Sequence, residues 1–280
     1  MKQTRTKQKN LNPLICAPYT VWSVIFIVVP LLMVAYYAFT DKTGGFTLAN
    51  VAELPRYAET FGISLLYAAV ATAICLLIAY PLAYFMSNMG PFSKRMLVML
   101  IMLPMWMNFL IRTYSWITIL SNTGIINTLL GKLGIGPIQM INTPGAVILG
   151  MVYNYLPYMV LPIYTVMIKL DGSLLEAAAD LGSSPLSRLR RVILPLSMPG
   201  VVSGITMVFV PSVSTFYISQ KLGGGKTMLI GDVIEMQFQS SYNYNLGAAL
   251  SLVLMLLILI SLAVMNRFAD SDNAGGGILL

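Results

Sequence analysis

The stretch EAAADLGSSPLSRLRRVILPLSMPG, residues 176–200, is a short polar, helix-forming island between two long apolar runs. Ser173 followed by Glu176 has the spacing of a capping box, in which hydroxyl and carboxylate satisfy the free amides that open a helix at Leu174. Gly182 suits a left-handed helix stop, and Ser184 before Pro185 suits the cap and first position of a second helix. The first helix then holds about eight residues, about 12 Å of rise. Two readings of Glu176 are open: it caps its own helix only, or it also faces a basic groove on a partner. An ordered polar island between membrane-length segments is a surface for contact.

Working outward, the composition places those segments in a bilayer. With 57% hydrophobic and 10% charged residues and a mean hydropathy of +0.78, 280 residues carry too little polar surface for a soluble domain. Six stretches are long enough to cross: Leu14–Phe39, Ile63–Met86, Met96–Leu120, Ala146–Ile168, Val201–Ile218 and Leu246–Val264, each near the ~20 residues a span needs. The first follows a basic start but is too long for a signal-peptide core and has no clear cleavage site, so it reads as a retained span. The expected fold is an all-α membrane protein with six transmembrane helices. Between the first two spans, Asp41–Thr60 reads as an ordered loop or a short interfacial helix. Between the third and fourth, Ile125, Ile126, Leu129, Leu130 and Leu133 share one helical face, for packing or for lying on the membrane. Residues 1–12 and 270–280 read as mobile, and the tail after Arg267 as frayed.

Lys and Arg set the orientation. With a cytoplasmic N-terminus, Lys2, Arg5, Lys7, Lys9, Lys94, Arg95, Lys169, Arg188, Arg190, Arg191 and Arg267 lie inside, against Lys42, Arg56, Lys132, Lys221 and Lys226 outside. This positive-inside bias puts both termini and the polar island in the cytoplasm. The net charge of +7 then reflects topology and contact with anionic membrane lipids rather than nucleic acid.

Catalytic chemistry finds little material. Cys16 and Cys75 lie in or beside apolar spans, as small buried hydrophobes. The chain has no histidine, which removes histidine metal sites and His-based triads. GGGKT at residues 223–227 fails as a phosphate-binding loop, because the first glycine of that pattern falls on Gln220. No catalytic residue, metal site or cofactor is assigned to the chain, and any ATP hydrolysis belongs to a partner. A membrane-embedded enzyme such as a lipid transferase, the alternative class, needs convergent acid, base or metal ligands at one interface; the dispersed carboxylates do not supply them.

The polar island resembles the EAA loop of ABC importer permeases: E-A-A, three residues, G, nine residues, I, one residue, L-P. Glu176, Ala177, Ala178, Gly182, Leu194 and Pro195 fall in register, with Val192 at the isoleucine position. Residues 103–116, 157–184 and 210–238 are similar to one of the two permeases of spermidine/putrescine importers. The resemblance implies a type I ABC importer fold in a single permease domain over residues 1–280, with the coupling loop at 171–197. It also implies a bacterial cytoplasmic membrane, a second, different permease, and a dimer of ATP-binding subunits holding ATP and Mg. An extracellular or periplasmic substrate-binding protein completes the implied assembly, with a polyamine as solute and another small solute as the alternative.

A cation path calls for polar or aromatic side chains recurring on one helical face. The fourth span offers Met151, Asn154, Tyr155 and Tyr158, with Pro157 and Pro162 able to bend it. The third offers Asn108, Arg112 and Ser115 beside Trp106, and the fifth offers Ser212, Thr215, Phe216 and Ser219. Aromatic faces attract ammonium groups; helix packing is the alternative reading of each row. Arg112, a charge within a span, would repel a cation and reads as a structural or gating ion pair with a partner subunit or with carbonyls. No acidic residue lies in a predicted span, so Asp232 and Glu235, near the outer mouth, are the candidate carboxylates in this chain.

Overall fold

Hydrocarbon offers no water to bond to, so every backbone amide and carbonyl of an apolar span needs a partner within the protein, and single spans fold as helices. The computed structural model describes residues 13–275, with side chains described for residues 18–265 and 267. Residues 1–12 and 276–280, read above as mobile, and the Cys16 side chain lie outside that description. The chain begins as one rod: α1 (Pro13–Ser23), a wider π segment (Val24–Val28) and α2 (Val29–Ala38). The π segment stands just before Pro30, whose ring cannot donate to the preceding turn and crowds the carbonyl there.

An ordered loop follows. Asp41 Oδ1 accepts from the Thr43 amide, the Thr43 hydroxyl and the Gly45 amide, and those bonds, the Thr43 hydroxyl foremost, hold its carboxyl below the ordinary range. After α3 (Ala49–Ala52) and a 3₁₀ turn (Leu54–Tyr57) come α4 (Ala58–Ser87), α5 (Pro91–Trp106), α6 (Phe109–Leu120), α7 (Ile125–Lys132) and α8 (Pro144–Met167). Beyond α8 stand α9 (Gly172–Asp180), α10 (Pro185–Arg188), a second π segment (Leu189–Ile193) and α11 (Leu194–Val213). The described chain closes with α12 (Tyr217–Gly223), α13 (Ile230–Gln239) and α14 (Tyr244–Gly275).

Among the described residues, five helices are long and apolar enough to cross a membrane alone, and a bent pair makes a sixth. That pair corrects the expected straight span Met96–Leu120. The chain turns by 90° between α5 and the run Phe109–Lys132 that holds α6 and α7, because Met107 is extended and the Asn108 side chain caps α6 by accepting from the Leu110 amide at 2.8 Å. An asparagine serves a helix start better than a helix middle. The expected fifth span is corrected too: α11 stops at Val213, two residues after Pro211, and the chain re-enters helix at Tyr217. The tail read as frayed after Arg267 is helical through Gly275.

The centre is a three-helix seam of α4, α8 and α11. Ala71, Cys75, Ala79 and Ala83 make a narrow face on α4, packed with Met151, Met159, Val201 and Val208 from the other two helices. Gly200 and Gly204 let α11 approach closely. A Cβ on Gly204 would stand 2.7 Å from Met159 Sδ and 3.1 Å from its carbonyl oxygen, and one on Gly200 would stand 2.9 Å from the Pro162 oxygen. This is the small-xxx-small device by which membrane helices gain dispersion contact that lipid cannot match. Tyr80 and Ser197 share a hydrogen bond of 3.1 Å across the seam.

The first rod joins the bundle through α14. Asn245 donates to the Tyr37 and Thr40 carbonyls at 3.1 and 2.7 Å, and Ala38 packs on Ala248 and Ala249. Its outer face, including Trp22, Ile25, Phe26 and Leu32, is exposed, as lipid contact requires.

Candidate functional site

The polar hairpin builds itself from local capping. α9 opens not on Ser173 but on Asp171, whose Oδ1 accepts from the Ser173 amide at 2.9 Å; that amide, foremost, holds the Asp171 carboxyl below its ordinary range. The Ser173–Glu176 capping box is therefore corrected. Aspartate is a strong cap, and one beginning at position 171 places Glu176 beyond the first turn, on an exposed face. At the other end Gly182 has φ +77°, the Gly182 amide donates to the Ala179 carbonyl at 2.8 Å, and the Ser183 amide donates to the Ala178 carbonyl at 3.1 Å. Those two bonds are the Schellman stop that glycine permits. Ser184 then caps α10, accepting from the Ser187 amide at 3.3 Å.

The hairpin is ordered but uncovered. Leu174, Leu186 and Leu181 are exposed, Leu181 at 88%, and Glu176 and Ala177 stand beside them on α9. Ala178 is half-buried. Leu194 and Pro195 lie not in the hairpin but at the start of α11, directly after the second π segment. Pro195 stands to that segment as Pro30 does to the first.

The far end of the bundle is organised around α12 and α13. Continuous helix from Pro185 to Val213, 29 residues, extends roughly 43 Å at 1.5 Å per residue, so α12 and α13 stand a membrane's thickness from the hairpin. Gly231 lies against the Ser214 and Thr215 carbonyls, where no side chain would fit. The Ile230 amide donates to Ser64 Oγ at 2.8 Å. Asp232 is 4% exposed; its Oδ2 accepts from the Leu229 amide at 2.7 Å, while its Oδ1 is buried without a hydrogen-bond partner. Burial pushes its carboxyl up to about 6, against the lowering effect of the Leu229 amide and the Ser219 hydroxyl. Glu235 Oε2 accepts from the Gln220 amide group at 2.8 Å.

The three candidate rows divide by tertiary position. Met151, Asn154, Ser212 and Ser219 are buried. Asn154 and Ser212 donate back into their own helices at 2.9 and 2.6 Å, which is a packing arrangement. Trp106 at 70%, Tyr158 at 42% and Phe216 are exposed, and Asn108 is a cap. Tyr155 is half-buried, with the Thr215 hydroxyl at its phenol, and Thr215 and Arg112 are buried. The Tyr155 hydroxyl donates to the Pro211 carbonyl at 3.4 Å. The Arg112 guanidinium lies 5.9 Å from the Phe109 ring centre, with Nε and Nη1 buried and unpartnered. Tyr155 and Tyr158, adjacent by spacing, thus meet different environments. The G-x-x-x-G at 200–204 was a readable signal for the α8–α11 seam, whereas nothing local in the sequence marked Asp232 as buried.

A lipid-facing helical bundle that leaves an ordered, polar helical hairpin uncovered at one end defines a membrane-embedded transport subunit of the permease class. Residues 79–271 match the family of the binding-protein-dependent transport system inner membrane component, and the chain belongs to that family. It is 43% identical over 227 residues to the spermidine/putrescine transport system permease protein PotB of Haemophilus influenzae, covering 78% of this chain and 79% of that one. Against the PotB of Escherichia coli the identity is 41%, covering 78% and 82%. Identity to the inner membrane ABC transporter permease protein YdcU of Escherichia coli is 30%, covering 74% and 72%. A chain from the crystal structure of a bacterial ABC transporter involved in import of the acidic polysaccharide alginate superposes with a TM-score of 0.75 at 15% identity, covering 92% and 94%. That likeness is one of fold.

Proposed function

We propose that this permease carries polyamines of the spermidine/putrescine type inward, by alternating access driven by ATP hydrolysis in a partner. The observation that carries the solute assignment is the 43% identity, over most of both chains, to a spermidine/putrescine permease. Coupling is assigned to the hairpin. Glu176, Ala177, Ala178 and Gly182 shape the exposed α9 knob, and Leu194 and Pro195 join it through the π segment to α11. The exposed Leu174 and Leu181 supply the apolar contact a docked partner would cover.

In this reading the hairpin and both termini are cytoplasmic, in a bacterial cytoplasmic membrane. The hairpin meets one of two ATP-binding subunits that hold ATP and Mg. A second, different permease completes the pathway, and an extracellular or periplasmic binding protein delivers the solute at the α12–α13 end. Tyr155, Thr215, Tyr158, Phe216 and Trp106 are the candidate path residues, Asn154 and Asn108 border that path through packing and capping, and Arg112 is a structural or gating charge. The test is uptake of labelled spermidine by the reconstituted assembly of all subunits with ATP. ATP-dependent accumulation that unlabelled putrescine competes away is the expected result; no uptake of any polyamine by the wild-type assembly overturns the solute assignment. Thiol labelling of Ser187→Cys from the cytoplasmic side only, and of Ser240→Cys from the outside only, is the expected topology.

A further inference from the structure

We propose that the pocket beside α13 is a holding site for one protonated primary amine, with the Asp232 and Glu235 carboxylates as its charged contacts. The proposal rests on the polyamine reading and deepens it. The pocket has a volume of about 240 Å³ and is lined by Asp232, Glu235, Gln220, Thr227, Met228 and Met236. Asp232 and Glu235 stand three residues apart on α13, so they share a face. Asp232 is 96% buried, taking the complement of its 4% exposure. One of its oxygens is committed to the Leu229 amide; the other has no hydrogen-bond partner, since the nearby Ser219 hydroxyl donates instead to the Phe216 carbonyl at 2.9 Å. A buried carboxylate oxygen left unbonded is costly, and a cation in the pocket beside it offsets that cost through its charge.

Nearby positive charge does not already fill the role. Lys221 Nζ lies over the Tyr114 and Tyr217 rings, 5.6 and 5.8 Å from their centres, and Lys226 is exposed. The upward displacement of the Asp232 carboxyl by burial agrees with an acid that lacks a counter-charge.

The lining also selects among cations. Calcium asks for six to eight oxygens turned to one point, whereas one Asp232 oxygen here is held by the Leu229 amide and one Glu235 oxygen by the Gln220 amide group; an ammonium needs only a few acceptors. Met228 and Met236 give apolar walls for the methylene chain behind it. Glu235 belongs as well to an adjoining pocket of about 390 Å³ that reaches Ser214 and Phe216 at the break after α11. The rest of an extended amine has space there, beside an aromatic face.

The test uses the wild-type assembled transporter in nanodiscs, with a water-soluble diazo reagent that esterifies carboxyls and peptide mass spectrometry as the readout. Saturating 1,4-diaminobutane should slow modification of Asp232 and Glu235 about tenfold, the equivalent of one charge-pair contact, and leave exposed Asp41 unchanged. Butane-1,4-diol and Mg²⁺ should give no such protection. Absence of protection by the diamine, or equal protection by the diol or by Mg²⁺ alone, overturns the site. In uptake assays the D232N/E235Q double variant should raise the half-saturating spermidine concentration about tenfold; an unchanged value in an assembled complex also overturns it. Failure of wild-type uptake would strike the solute assignment instead, while diamine protection still decides the pocket.

Discussion

The α9 hairpin and the α8–α11 seam are adjacent in the chain and opposite in construction. The hairpin is held by its own caps, Asp171, Gly182 and Ser184, and shows Leu181 to solvent. The seam is held by neighbours: Gly204 lies against Met159, Gly200 lies against Pro162, and neither glycine has room for a methyl group without a shift. The difference teaches which residues answer to the fold and which to a partner. A locally closed element can change its surface without disturbing the bundle, and a seam closed by tertiary contact cannot.

The largest effect should come from breaking the seam. Gly204→Leu forces a branched side chain into space already occupied by Met159, and overpacking of this kind costs about 1–3 kcal/mol or more. The expected outcome is loss of monodisperse complex in detergent, read by fluorescence-detected size exclusion, together with loss of uptake. A fully assembled Gly204→Leu transporter would show the seam to be looser than its contacts indicate.

Next in size is the reverse case. Leu181→Lys should change the stability of the bundle by no more than about 0.5 kcal/mol, as an exposed substitution does, yet lower retention of the ATP-binding subunit on affinity purification at least about tenfold, a difference near 1.4 kcal/mol. A large fall in thermal stability, with the ATP-binding subunit still retained, would make Leu181 a fold residue and erase the contrast.

Glu176→Gln sharpens the same side. Since Asp171 caps the helix, amide replacement at Glu176 leaves α9 intact and removes only charge. A severalfold weakening of ATP-binding-subunit association is expected, on the scale of about 0.5–1 kcal/mol for an exposed ion pair. Wild-type association would restrict the role of Glu176 to shape.

A pH effect separates the far end from both regions. α13 is not one of the spanning helices, and the groups facing the Asp232 carboxyl are the Leu229 amide, the Ser219 hydroxyl and the Glu235 carboxyl. Its folded pKa, about 6, lies above the ordinary value of 3.8, so between those values the folded state binds more protons than the unfolded one. Stability at α13 is therefore greatest below pH 4 and falls as pH rises to about 6. Hydrogen exchange of the α13 amides, corrected for intrinsic rate, should show that fall, and Asp232→Asn should flatten it. The smallest effect is expected from Asp171→Ala, which should speed exchange at the opening turn of α9 and leave α11 unchanged.

Much of this arrangement was legible from residue order. Apolar length located the spans, and Gly182 and Ser184-Pro185 marked the stop and restart of the hairpin, because those signals act within one turn of helix. The pairing of Ser173 with Glu176 misled because Asp171, a competing cap two residues earlier, was not weighed against it. The break at Met107–Asn108 was readable from Pro104 and the capping preference of asparagine, but the hydrophobicity running through it masked the signal. Tyr155 and Tyr158 illustrate what remained hidden: three residues apart on one helix, they differ in burial because other elements cover one of them. Periodicity states what one helix presents and is silent on what arrives to cover it. Asp232 is the same case in a short helix.

The unbroken run from Pro185 through the π segment to Val213 has the geometry of a lever arm. Over roughly 43 Å, a tilt of about 5° at the hairpin displaces the opposite tip by roughly 4 Å. Three residues, Ser214, Thr215 and Phe216, separate that tip from α12, and two of their carbonyls touch Gly231 of α13. The tip therefore bears directly on α13, backbone against backbone.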